Sequence, residues 1–220
     1  MKSFLRDNGL TLTLLLLFVV SLVGQVFSGL GTENEQRSEH GLALIGVAQF
    51  LTSGQFLSTL FENWESEFLQ MWAYVTLTAF LFQRGSPESK DPDKPAAQDR
   101  DPALDADRPD APWPLRAGGW VRALYGQSLG LAMALLFVAS FALHLANSTR
   151  LAAEEAGMHH QPPPTVWQHL AGPEFWFESF QNWQSEFLST AVLVVLAIVL
   201  RQRGSPESKP VAAPHAQTGA

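Results

Sequence analysis

The chain contains no cysteine. Disulfides, thiolate nucleophiles and cysteine-based zinc or iron–sulfur sites are therefore excluded. Basic residues are scarce as well, 14 Lys and Arg against 21 Asp and Glu, giving a net charge of −7. An acidic chain without a basic patch offers no nucleic-acid surface, and no nucleic-acid partner is expected. Also absent are an HExxH pair, a Gly-rich phosphate loop and a nucleophile–base set in the apolar blocks, so no cofactor is expected and enzymatic chemistry stands third among the readings.

What the chain does have is long apolar blocks. Four of them, at roughly 10–30, 64–82, 124–145 and 184–200, approach the ~20 residues needed to cross a bilayer core. The first resembles a signal peptide, but its apolar run is longer than the usual 7–15 residues. It also recurs internally, LLFVVS at 16–21 against LLFVAS at 135–140, and a segment with an internal copy reads as a retained span.

Sliding the sequence by 119 residues aligns one half on the other without a gap. Leu10 meets Leu129, Glu35 meets Glu154, His40 meets His159 and Trp64 meets Trp183. Residues 83–90 and 202–209 are both QRGSPESK. The spacing predicts a tandem duplication. Within each half, helices are expected from about 54 to 82 and 173 to 201, with Ser53 as an N-cap and Pro173 and Glu174 in a first turn.

The expected fold is an all-α integral membrane protein of four transmembrane helices, built as two tandem two-helix repeats. Residues 1–90 form the first repeat, with spans at about 10–30 and 63–82, and residues 121–209 the second, with spans at about 124–145 and 182–201. Residues 91–120 form a linker whose Pro-, Asp- and Ala-rich part is expected to be disordered and whose remainder lies at the membrane surface. The 210–220 tail is expected to be disordered.

Orientation follows from the cations. With both termini and the linker cytoplasmic, Lys2, Arg6, Arg84, Lys90, Lys94, Arg100, Arg108, Arg116, Arg122, Arg201, Arg203 and Lys209 lie inside. Only Arg37 and Arg150 lie outside, which is the bias of a cytoplasmic N- and C-terminus. Arg84 and Arg203 read as inner-surface anchors, and Trp64 and Trp183 as outer interfacial ones.

The repeat also filters candidate sites. Glu62 becomes Gln181 and Glu65 becomes Gln184, whereas Glu67 recurs as Glu186 and Asn63 as Asn182. Asn63 with Glu67, and Asn182 with Glu186, are four apart and share a helix face. An ionisable group at membrane depth is a candidate ion site, and polar glue between helices is the plainer reading. A second cluster falls in the expected outer loops: Glu35 and His40 in one, Glu154, Glu155 and His159 in the other. Glu155 and His159 could face one metal ion from a helix, although solvated acidic loops with incidental histidines explain the pattern as well.

The doubled NWxSEFL…QRGSPESK pattern, with outer E-x4-H segments, resembles an uncharacterised family of small bacterial integral membrane proteins described only as a domain of unknown function. The resemblance implies a bacterial inner membrane and carries no activity, cofactor or site. The leading functional reading is a non-enzymatic inner-membrane protein for scaffolding, sensing or envelope maintenance. The alternative is a small proton, cation or solute permease using Glu67 and Glu186. A membrane-bound metal enzyme using the outer Glu and His residues is third. The expected partners are the lipid bilayer and an unidentified protein, and four spans are few for a transport path, which points to a homodimer.

Overall fold

In the computed structural model, which describes residues 2–219, every regular element is helical among those residues. In chain order the α-helices are α1 (Lys2–Asp7), α2 (Gly9–Glu39), α3 (Val47–Phe50), α4 (Gly54–Leu77), α5 (Trp113–Ala117), α6 (Gly119–Gly126), α7 (Ser128–Met158), α8 (Val166–Ala171) and α9 (Pro173–Val199). Two short 3-10 turns, Ala97–Asp99 and Pro102–Asp105, interrupt the linker.

The helix starts follow the local chemistry. Ser53 Oγ accepts the amide of Phe56 at 3.1 Å and so caps α4. Gly172 precedes α9, with Pro173 in the first turn, where no amide donor is needed, and Glu174 beside it. The ends differ from expectation. α2 and α7 run 31 residues each, about 46 Å at 1.5 Å per residue. They continue through Glu33, Glu35, Glu39, Glu154 and Glu155, so these residues sit on helix rather than in loops.

Helices α2, α7 and α9 are long and apolar enough to cross a membrane. Among the four expected spans, α4 is the exception by composition. It carries Glu62, Glu65 and Glu67 within 24 residues, and it stops at Leu77, short of the expected 82.

The chain packs as two units. The first comprises Met1–Phe61 and Leu143–Ala171, and the second Glu62–Ala142 and Gly172–Ala220. In the first unit Asn34 clamps the chain returning from α2. Its Nδ2 donates to the Ile45 carbonyl at 3.0 Å and its Oδ1 accepts the Ile45 amide at 2.8 Å. Arg37 Nε donates to Ala43 O at 2.7 Å, and Arg150 Nη1 to Thr52 O at 2.9 Å. Gly54 lets α4 begin against α7: a β-carbon there would stand 3.1 Å from the Leu151 amide nitrogen. Phe50, 2% exposed, presses its ring onto Gly29 of α2 and tilts against Phe56 at 5.4 Å between centroids.

The core of the second unit is aromatic. Trp72 of α4 stacks on Phe137 of α7 at 6.4 Å, and Phe137 meets the Trp183 edge of α9 at 6.3 Å. Phe141 meets Phe175 edge-on at 5.4 Å, and Phe175 is fully buried. Such offset and edge-to-face pairs join the three helices by dispersion and ring quadrupoles.

Candidate functional site

The polar residues of α4 and α9 meet in the second unit. The Glu62 carboxylate accepts from Asn182 Nδ2 at 2.5 Å and from Gln181 Nε2 at 3.4 Å. Glu65, fully buried, accepts from Trp183 Nε1 at 2.9 Å. Gln70 donates to the Thr190 hydroxyl. Partner numbers rise together along both helices, so α4 and α9 run parallel, and each bond joins residues 118 to 120 apart.

This arrangement sorts the sequence candidates. Asn182 is half-buried and bonded to Glu62, while Asn63 and Glu67 are exposed. Glu186 is half-buried. Trp183, half-buried in the middle of α9, donates to Glu65. Glu62 and Glu65, which the repeat had filtered out because they do not recur, make the inter-helix bonds. One signal was available in the sequence: where a helix meets its own copy, an amide opposite a carboxylate can bond it, as Gln181 does opposite its counterpart Glu62.

The first unit gathers the second cluster. The C-terminal turns of α2 and α7 flank a cavity of about 780 Å³ whose lining includes Glu39, His40, Arg150, Glu154, Glu155 and His159. Arg37 pairs with Glu33 at 3.6 Å and Arg150 with Glu154 at 3.0 Å, so both cations are engaged at this cavity. Glu35 is exposed and lies outside the lining. Among the described residues no three His, Asp or Glu side chains are grouped closely enough to hold a metal ion. Nearby, Ser148 and His169 form a buried pair, the hydroxyl 2.7 Å from Nε2, and fully buried His144 stands one turn before Ser148 on α7.

The basic exits differ. Arg84 pairs with Asp93 at 2.7 Å, both exposed. Arg203 is exposed, and the end of α9 is capped by Arg201, whose Nη1 donates to the Ile198 and Leu200 carbonyls at 3.1 and 2.7 Å. Tyr74 Oη donates to Glu88 Oε2 at 3.0 Å. Burial and a hydrogen bond with the neighbouring Glu207 carboxyl push Glu88 above the usual carboxylate range, against the opposing Tyr74 bond.

A family profile, described as a domain of unknown function (DUF6766), matches residues 1–220. The chain belongs to the DUF6766 family. No curated protein and no solved structure matches it. For this DUF6766 chain the comparisons therefore agree with an uncharacterised family and assign no activity to any residue.

Asn34 and Ser148 were not singled out by sequence, and His169 stood out only as one of the histidines of the second expected outer loop. Asn34 had a weak local signal, as an amide near the polar end of an apolar run. The Ser148–His169 pair had none, because the two residues lie 21 apart on different helices.

Proposed function

We propose that this is a four-span, non-enzymatic bacterial inner-membrane protein, with termini and linker cytoplasmic, that serves in scaffolding, sensing or envelope maintenance. The observation that carries the reading is the parallel, in-register bonding of α4 to α9. Polar groups turned onto a neighbouring helix are sheltered from lipid, which makes α4 tolerable as the fourth span despite its glutamates. A helix packed parallel to its own copy calls for a pseudo-two-fold axis along the membrane normal, the relation between parallel two-helix repeats. The same bonds commit Glu62, Glu65 and Asn182 to packing, which favours a structural over a transport role. A homodimer remains part of the proposal, since four spans offer little enclosed path.

The topology is tested by single cysteines at Ser38, Ala97 and Gln161, all exposed, in the cysteine-free background. An impermeant thiol reagent on intact cells is expected to label the first and third. Labelling of position 97 overturns the orientation.

A permease is the second reading, favoured by the half-burial of Glu186, the recurring carboxylate of α9. Purified protein in sealed vesicles is expected to carry no proton or monovalent-cation flux beyond that of protein-free vesicles. A flux abolished by Glu67→Gln with Glu186→Gln replaces the structural reading with the permease. Metal analysis addresses the third reading, for which stoichiometric zinc, iron or manganese in the purified protein is the supporting result.

A further inference from the structure

The two QRGSPESK segments adopt one loop. Gly85 and Gly204 take φ of 84° and 85°, the left-handed region that favours glycine. The amides of Gln83 and Gln202 each donate at 2.9 Å to the hydroxyls of Ser89 and Ser208. Ser86 and Ser205 hydroxyls each accept, at 3.2 Å, the amides of Glu88 and Glu207. Identical letters here specify identical internal hydrogen bonds, so the loop is built by its own side chains.

The surroundings of the two copies differ. Residues 209–219 lie over the first copy. Lys209 Nζ donates to the Gly85 carbonyl at 2.6 Å, the Gly85 amide donates to Thr218 Oγ1 at 2.9 Å, and the Gly219 amide donates to Ser86 O at 3.0 Å. The same ammonium also donates to His215 O at 2.8 Å and Gln217 O at 3.1 Å, holding the tail in a ring around itself. Ser86 is fully buried and Ser89 nearly so. A β-carbon on Gly85 would stand 2.9 Å from the His215 carbonyl.

The second copy is open around Gly204, while its Glu207 and Lys209 reach the first copy at Glu88 and Gly85. Gly204 is exposed, and nothing lies within 4 Å of where its β-carbon would be. A hollow of about 420 Å³ lies along it, lined by Gln202, Arg203, Gly204, Ser205 and Pro206 among others. Among the described residues the Gly204 amide and carbonyl make no hydrogen bond, and Ser205 O accepts only a long one of 3.4 Å from Ser208.

We infer that the 202–209 loop is a docking site for a segment of a partner protein with the chemistry of this chain's own tail: an ammonium donor for the Gly204 carbonyl, a hydroxyl acceptor for the Gly204 amide, and an amide donor for the Ser205 carbonyl. This chain's tail is held at the first loop. This inference does not depend on membrane topology or on the scaffold reading.

The probe is a fluorescent peptide of sequence KPVAAPHAQTG, titrated by anisotropy against the full-length protein in detergent. One equivalent is expected to bind. Gly204→Ala is expected to weaken it at least about tenfold, a loss of about 1.4 kcal/mol, because the new methyl would meet the peptide carbonyl as it would at Gly85. Helical content by circular dichroism shows that the variant's helices are intact. Gly204→Asn, whose new side chain tolerates the left-handed region but also carries a β-carbon, is expected to weaken binding as much as Gly204→Ala, separating the contact from backbone strain. Protein truncated after Ser208, which removes the Lys209 ammonium from the Gly85 carbonyl, is expected to bind a second equivalent, lost in Gly85→Ala. Absence of binding to the full-length chain overturns the proposal, as does binding sensitive to Gly85→Ala but not to Gly204→Ala. The latter result means that tails exchange between copies at the first loop.

Discussion

Gly29 with Phe50, and Ser148 with His169, are pairs of positions separated by 119 residues in each member. In the first unit one pair is a ring pressed onto a helix backbone, and the other is a buried hydroxyl–imidazole hydrogen bond. The same two sites can be closed by packing or by polarity. Packing tolerates no gap and no extra atom, whereas a buried hydrogen bond tolerates changes of shape but not the loss of a partner.

The largest effect is expected from Phe50→Ala, which empties a buried site and destabilises by about 3–5 kcal/mol. Thermal unfolding in detergent, followed by circular dichroism, measures it. A melting temperature close to wild type would show that the ring does not close the α2 face. Gly29→Ala comes next, at about 1–3 kcal/mol, because its methyl would lie 2.7 Å from the Phe50 ring. Ser148→Gly, which copies the first pair's small residue, should lose comparable stability for the opposite reason, by removing the buried hydroxyl that bonds His169. Adding His169→Phe to Ser148→Gly should recover part of the loss, and no recovery would break the equivalence of the two pairs.

A smaller change is expected in the α4–α9 contact. Glu65→Leu leaves the Trp183 indole N–H without its acceptor and should cost about 1 kcal/mol. Glu65→Gln keeps an acceptor oxygen and should cost less. Equal losses would mean that the charge, not the hydrogen bond, matters there.

The smallest effect is a pH dependence at Glu88. Its folded pKa lies above the unfolded value of about 4.3. The protonated carboxyl therefore favours the fold: the contribution is complete below the unfolded value and is lost as pH rises through the raised one. Melting temperature should fall slightly over that window, and Glu88→Gln should flatten the profile. A rise with pH in that window, removed by Glu88→Gln, would reverse the assignment.

Much of the fold was readable locally. The Ser53 cap, the Pro173 start and three apolar runs mark where helices begin and where they can cross a membrane, because each depends on neighbouring residues alone. The continuation of α2 and α7 past the apolar runs was missed, since polarity was taken to end the helix. Segments such as TENEQRSE and LAAEEAGM are polar yet built largely of good helix formers, so backbone hydrogen bonding carries on. The candidate site was half readable. Glu186 and Asn182 do lie toward α4, but recurrence selected Glu67 and Asn63, which are exposed, over Glu62 and Glu65, which form the bonds.

The doubled QRGSPESK shows the same division. Its letters set the loop's internal turn, because every bond that builds the turn lies within eight residues. Whether a copy is covered or open is decided by where the tail comes to rest, through bonds spanning 124 and 133 residues. Local pattern specifies helix, cap and turn, since their partners are near in the chain. Which polar groups meet depends on how each helix face is turned and what the packed chain brings against it, and only the tertiary structure decides that.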